Sequence, residues 1–90
     1  MEKVIISVVG KDTVGIIARV CTFLAESNVN INDISQTIIQ GYFNMMMIAD
    51  ISECAMPLTT IQQNLDEIGE SLGVQIKCQR EEIFDKMHRI

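Results

Sequence analysis

Ninety residues with a net charge of −5 form one acidic domain, of a size that leaves much of its surface unburied. Acids outnumber bases, and only 4% of residues are aromatic. Direct nucleic-acid binding is therefore excluded, because it needs a basic face and stacking platforms. The 48% hydrophobic content exceeds what one small core hides comfortably, which points to apolar surface covered by a partner.

Lys3 to Val9 (KVIISVV) is a β-branched run of strand length. Glu2 and Lys3 lead straight into it, so no signal peptide is expected. Gly10 to Gly15 (GKDTVG) follows with turn chemistry. Ile16, Ile17, Val20, Cys21, Phe23 and Leu24 then recur as the broad stripe of a core-facing helix. Asp12 or Thr13 is its expected N-cap, and Asn28 its stop.

Asn30 to Gln40 is the second expected strand, with a bend or bulge where the alternation fails around Asn32 and Asp33. Gly41 marks a tight hairpin into a third strand, Phe43 to Ile51. Pro57 suits the first turn of a helix. Leu58, Ile61, Leu65, Ile68 and Leu72 carry the cleanest helical period of the chain, and Gly73 stops it. Val74 to Arg80 is the fourth strand. Glu81 to Ile90 is expected to form a short helix with Ile83, Phe84, Met87 and Ile90 on one face. A helix of that length forms only if its apolar face docks.

The order β-α-β-β-α-β with right-handed crossovers predicts an α+β, ferredoxin-like fold. Its four-stranded antiparallel sheet has strand order 4-1-3-2 and both helices on one face. The chain reads as one domain over 1–90, with 81–90 as a C-terminal helical extension. In the first strand Val4, Ile6 and Val8 face the helices; Ile5, Ser7 and Val9 face away. Met45 and Met47 fall on one side of the third strand, Met46 and Ile48 on the other. The helix-free side thus carries a central apolar strip, to be covered by the terminal helix or a second subunit, and a homodimer is expected.

Three cysteines, Cys21, Cys54 and Cys78, make neither a disulfide framework nor a metal knuckle. Reduced thiols imply a cytoplasmic location. Cys21 and Cys78 are expected to be core thiols, and Cys54 an exposed loop thiol. No apolar run reaches the ~18 residues of a membrane span. His88, with Asp85 and Glu81, lacks a convergent fourth group, so no metal is expected. No nucleophile–base arrangement exists around the sole histidine, and no cofactor motif is present. The Gly10–Gly15 spacing mimics the start of a P-loop, but Ile16 and Ile17 stand where Lys and Ser/Thr are required. A dinucleotide fingerprint fails because residue 12 is Asp. The chain is read as no enzyme.

What the glycine turn does offer is backbone N–H groups at a helix start, which favour a carboxylate or phosphate. KDTVGIIARV followed by LAESNVNINDISQT resembles the signature of the ACT domain family, and in particular its short stand-alone members. Asp12, Gly15 and Ile16 match its Asp-x-x-Gly turn, and Asn30 and Ile31 the pair that opens the second strand. The resemblance implies an amino-acid effector held at a dimer interface, between the first turn of one subunit and the second strand of the other. On this sequence that assigns Gly10, Lys11, Asp12, Thr13, Val14, Gly15, Ile16, Asn30, Ile31 and Asn32. Gly10 stands where some amino-acid sensors carry histidine, and Val14 where many members carry proline. A ligand-sensing regulatory homodimer is the leading expectation; a ligand-free assembly adaptor is the alternative.

Overall fold

The computed structural model describes residues 2–11 and 15–82. Its elements are β1 (Lys3–Lys11), α1 (Ile16–Glu26), β2 (Asn30–Ile39), β3 (Tyr42–Asp50), α2 (Leu58–Leu72) and β4 (Gln75–Arg80). The four strands form one antiparallel sheet in the order β2-β3-β1-β4, the expected topology. β1 runs two residues further than its apolar run. Gly10 and Lys11 still pair with Phe43 and Tyr42, so the hairpin partner extends the strand into the turn.

One apolar core lies between sheet and helices. Val4, Ile6 and Val8 of β1 meet Phe43, Met45, Met47 and Ala49 of β3, with Ile76 and Cys78 of β4 beside them. Ile16, Val20 and Leu24 of α1 and Ile61, Leu65 and Ile68 of α2 close the same cluster. Both helices therefore lie on one face, as the alternation of β1 requires. The buried stripe of α1 is narrower than its sequence suggested. Ile17 is exposed and Cys21 only half-buried, because a helix on the rim of a two-layer domain turns one flank to solvent.

The helix ends are backbone-made. α1 starts at Gly15 (φ 91°) with no side-chain cap, so the cap falls neither on Asp12 nor on Thr13. It stops through Asn28 (φ 60°), with N–H groups of Val29 and Asn28 donating to the carbonyls of Leu24 and Ala25. α2 ends the same way at Gly73, where Val74 N–H donates to Gly69 O. This is the Schellman arrangement in both cases. Pro57 takes the cap position itself, one residue before the helix.

The β2–β3 hairpin turns through Gln40 and Gly41, both at positive φ, the type I′ geometry that matches strand twist. The expected bulge is real: the β2–β3 register slips between Ile31 and Asp33. At the far end, Ile51 N–H donates to Glu2 O, Arg80 pairs with Glu2 at 2.9 Å, and Ser52 donates to Asp50. The Ser52 contacts hold the Asp50 carboxyl below its usual range. Of the helix expected over 81–90, Glu81 and Glu82 are helical, and residues 83–90 lie outside the described part.

Leu65 is almost wholly enclosed, so Leu65→Ala is expected to cost about 2–5 kcal/mol. Ile17→Ala, on the solvent flank of α1, costs less than about 1 kcal/mol. Urea unfolding of the two variants, read as a shift in midpoint, checks the contrast.

Candidate functional site

The sequence assigned a site to two segments, 10–16 and 30–32. Of these, Asp12, Thr13 and Val14 lie outside the described residues. The others have defined and different surroundings.

Gly10 closes β1 against the start of β4. A Cβ there would stand 2.6 Å from Val74 Cγ1 and 3.1 Å from Val74 Cα. The absence of a side chain at residue 10 is thus accounted for by close packing within the fold. Gly15 is different. Its φ of 91° is left-handed, and a Cβ would meet nothing within 4 Å. Its backbone faces open space, so a ligand can approach it. Ile16 is buried in the core and offers only its backbone. Among the described residues, α1 has no acidic residue in its first turn and no side-chain cap.

Asn30 and Asn32 are exposed and Ile31 half-buried, at the bulged start of β2. The bulge turns the side chains of Asn30 and Asn32 relative to the regular register that resumes at Asp33. The distance between the two segments follows from the pairing. Asn30 is level with Asp50, and Asp50 with Lys3. Lys11 is level with Tyr42, and Tyr42 with Ile39. The two halves of the expected site therefore stand at opposite ends of the sheet, roughly 25 Å apart at strand rise. One chain does not bring them together.

No polar or charged residue among those described is buried, and no group of three metal-ligating side chains occurs among them. No described helix is long and apolar enough to cross a membrane. A groove of about 520 Å³ runs from Gly15 between α1 and α2 past Arg19, Phe23, Asn64 and Glu67.

The three cysteines are free thiols. Cys78 is buried, and burial pushes its thiol up to about 11. Cys54 is a free thiol in the loop before α2, half-buried against the core and not exposed. Cys21, expected as a core thiol, is half-buried too.

What the sequence missed was the condition of β2. Ile38 and Ile39, at its end away from Asn30, are each 59% exposed, and Ile34 and Tyr42 are exposed with them. The signal was present: NINDISQTII has apolar residues of both parities, and a strand apolar on both faces must be covered on both or left bare.

The family model of the ACT domain matches residues 2–79. The chain belongs to the ACT domain family. It is 62% identical over the full length of both chains to a UPF0237 protein of Bifidobacterium longum. An ACT domain protein from Streptococcus pneumoniae superposes with a TM-score of 0.81 at 40% identity, covering 93% of this chain and 94% of that one. A formyltetrahydrofolate deformylase from Pseudomonas syringae superposes with a TM-score of 0.82 at 23% identity, over 89% of this chain but 28% of that one; this likeness is one of fold. The ACT domain is in general a regulatory, ligand-binding module, and no catalytic family is indicated. ACT domains commonly dimerise and bind amino acids.

Two measurements check the site. Gly10→Ala is expected to destabilise the fold by about 1–3 kcal/mol through overpacking on Val74, whereas Gly15→Ala costs about 1 kcal/mol from its φ alone. Alkylation at pH 8 should label Cys21 and Cys54 and spare Cys78 in the folded chain. The Cys78 thiol keeps its proton in the folded state when the unfolded chain loses it. Stability from this group is therefore full below about pH 9 and falls as pH rises toward 11.

Proposed function

We propose that this protein is a non-catalytic amino-acid sensor that works as a homodimer, with its ligand held between the 10–16 turn of one copy and the 30–32 bulge of the other. The observation that carries the reading is the separation of these two segments within a single chain, combined with the unprotected β2 edge. β2 pairs on one side only. It has ten residues, Asp33 as its one charge, and no Pro or Lys. Sheet edges normally carry such protections. Ile34 and Ile38 lie on its helix side, opposite buried Met47 and Phe43, and remain exposed because the helices stop short of this edge.

Antiparallel pairing of β2 with β2 of a second copy extends the sheet and covers these residues. It also has a geometric consequence. A two-fold axis through the middle of β2 sets Asn30 of one copy beside Ile39 of the other. Ile39 is in register with Tyr42 and Lys11, so the glycine turn and the bulge come to one end. The lateral gap becomes three strand spacings, about 14 Å, which the turn and a small ligand share. The uncapped start of α1 suits the ligand's carboxylate. Asp12 is the proposed partner for its ammonium group, with Asn30 and Asn32 donating and accepting from the second copy.

The experiment has two arms. Light scattering at micromolar concentration should give twice the chain mass of 10.1 kDa, and Ile38→Lys should give a monomer that keeps its secondary structure. A thermal-shift screen of the twenty amino acids should find one that raises Tm on the order of 10 °C at a hundredfold excess over its Kd. A monomeric wild type ends the proposal. A dimer that responds to none of the twenty leaves assembly without a ligand as the better reading.

A further inference from the structure

The edge strand β2 carries a short palindrome. From Ile34 to Ile38 it reads Ile-Ser-Gln-Thr-Ile, the same order of residue kinds from either end, with Gln36 at the centre. The regular part of the strand has the same centre. Its pairing with β3 runs unbroken from Asp33 to Ile39, and the irregularity between Ile31 and Asp33 takes the first residues out of that run. Every residue of the run is exposed. Ile34, Gln36 and Ile38 stand opposite the buried Met47, Met45 and Phe43 and so share the helix side. Asp33, Ser35, Thr37 and Ile39 stand on the other side, opposite Ile48, Met46, Asn44 and Tyr42.

Resting on the homodimer proposed above, we infer that β2 meets β2 of the second copy in one register, with Gln36 on the two-fold axis facing its own counterpart. Symmetry is the first constraint. An isologous contact must be self-complementary, and a two-fold axis normal to the sheet brings like faces of the two strands together. A palindrome centred on the axis meets both demands.

The extent of the ladder is the second constraint. With the axis at Gln36, all of Asp33–Ile39 is paired. An axis at Ser35 sets Ile38 and Ile39 against the irregular start of the partner strand. An axis at Thr37 sets Asp33 and Ile34 against the hairpin turn at Gln40 and Gly41. An axis at Ile34 or Ile38 leaves three residues of the regular run in the ladder.

Side-chain chemistry is the third. With the axis at Gln36, Ile34 faces the partner's Ile38, twice by symmetry, and Ser35 faces the partner's Thr37. Aliphatic and hydroxyl pairs of this kind are favourable across strands. An axis at Ser35 or Thr37 sets an isoleucine against Gln36 instead. Asp33 is the one charge of the strand, and its two copies fall at opposite ends of the ladder, about 20 Å apart at strand rise. A residue on the axis meets itself. The Gln36 amide both donates and accepts, so it can bond to its own copy, whereas a charge there would face its like. The partner's Asn30 then falls just past Ile39, beside the hairpin turn. The edge therefore fits a second copy of this chain, and Gln36 is the residue that sets how the two copies align.

The test is a thiol scan on the full chain with Cys21 and Cys54 changed to Ser, its mass first measured by light scattering. Ser35→Cys, Gln36→Cys and Thr37→Cys are oxidised separately. The residue on the axis has its copy directly opposite, at about 5 Å between Cα atoms. Its neighbours stand about 8 Å from their copies, beyond the reach of a disulfide. Gln36→Cys is expected to give mostly linked dimer, and the other two severalfold less. Most linkage at 35 or 37 overturns the register and leaves the β2-paired homodimer standing. Linkage at none of the three in a chain of dimer mass puts the second copy elsewhere and overturns the register too. A chain that scatters at 10.1 kDa removes the homodimer itself. A second arm is independent of thiol geometry. Gln36→Lys and Gln36→Glu should each lose dimer, and an equal mixture of the two should regain it. A Gln36→Lys chain as dimeric as the unsubstituted one also sinks the assignment.

Discussion

A right-handed β–α–β crossover obliges β1 and β2 to run in the same direction, and β3 lies between them. Much of this protein's architecture follows from that constraint. The turn after β1 and the start of β2 must fall at opposite ends of the sheet. Polar features placed at both points cannot form one site inside one chain. The same topology puts β2 at the edge, beyond the reach of the two helices. Its outer hydrogen-bonding groups and its isoleucines are left to whatever pairs with it. Separation of the site halves and exposure of the edge thus have one geometric origin.

The interior depends on a strict division of labour along β1. Even-numbered residues from Val4 to Val8 join the core, with both helices packed against them. Each fully enclosed aliphatic side chain contributes about 1.5–3 kcal/mol before entropy is counted. A small domain has few such residues to spare, which explains why Gly10 and Val74 approach so closely where β4 begins. Two of the odd-numbered residues, Ile5 and Val9, are also apolar, and this is unusual for a sheet with helices on one side only. That second apolar face is unevenly exposed, with Ile5 buried and Val9 open to solvent. The acidic balance of the chain is compatible with such exposure, because net charge keeps copies from associating without order.

Strands, helices and their stops were legible wherever a local rule acts alone. The three- and four-residue spacing of Ile61, Leu65 and Ile68 needs only a helix and a core. Gly73 needs only a left-handed backbone. The bulge at Asn32 was visible as a break in alternation. The cap of α1 was expected on Asp12 or Thr13, which have the side chains for capping, while Gly15, with a left-handed backbone, holds the cap position. Cys21 and Ile17 were assigned to the core because a periodic pattern shows which residues share a face, not how far the neighbouring layer extends. For the candidate site, the sequence marked its parts and the resemblance marked their partnership. Neither shows that a single chain holds the parts apart.

By itself the sequence determined the element order, the topology and the inward face of β1. These depend on periodicity, turn chemistry and residue type, which act over a few neighbours. The tertiary structure decided what depends on where a layer ends. It left β2 uncovered, separated Gly15 from Asn30 and buried Ile5 while exposing Val9. Residues of the same type and spacing met different fates because the extent of the neighbouring layer, not local pattern, determines how far the cover reaches.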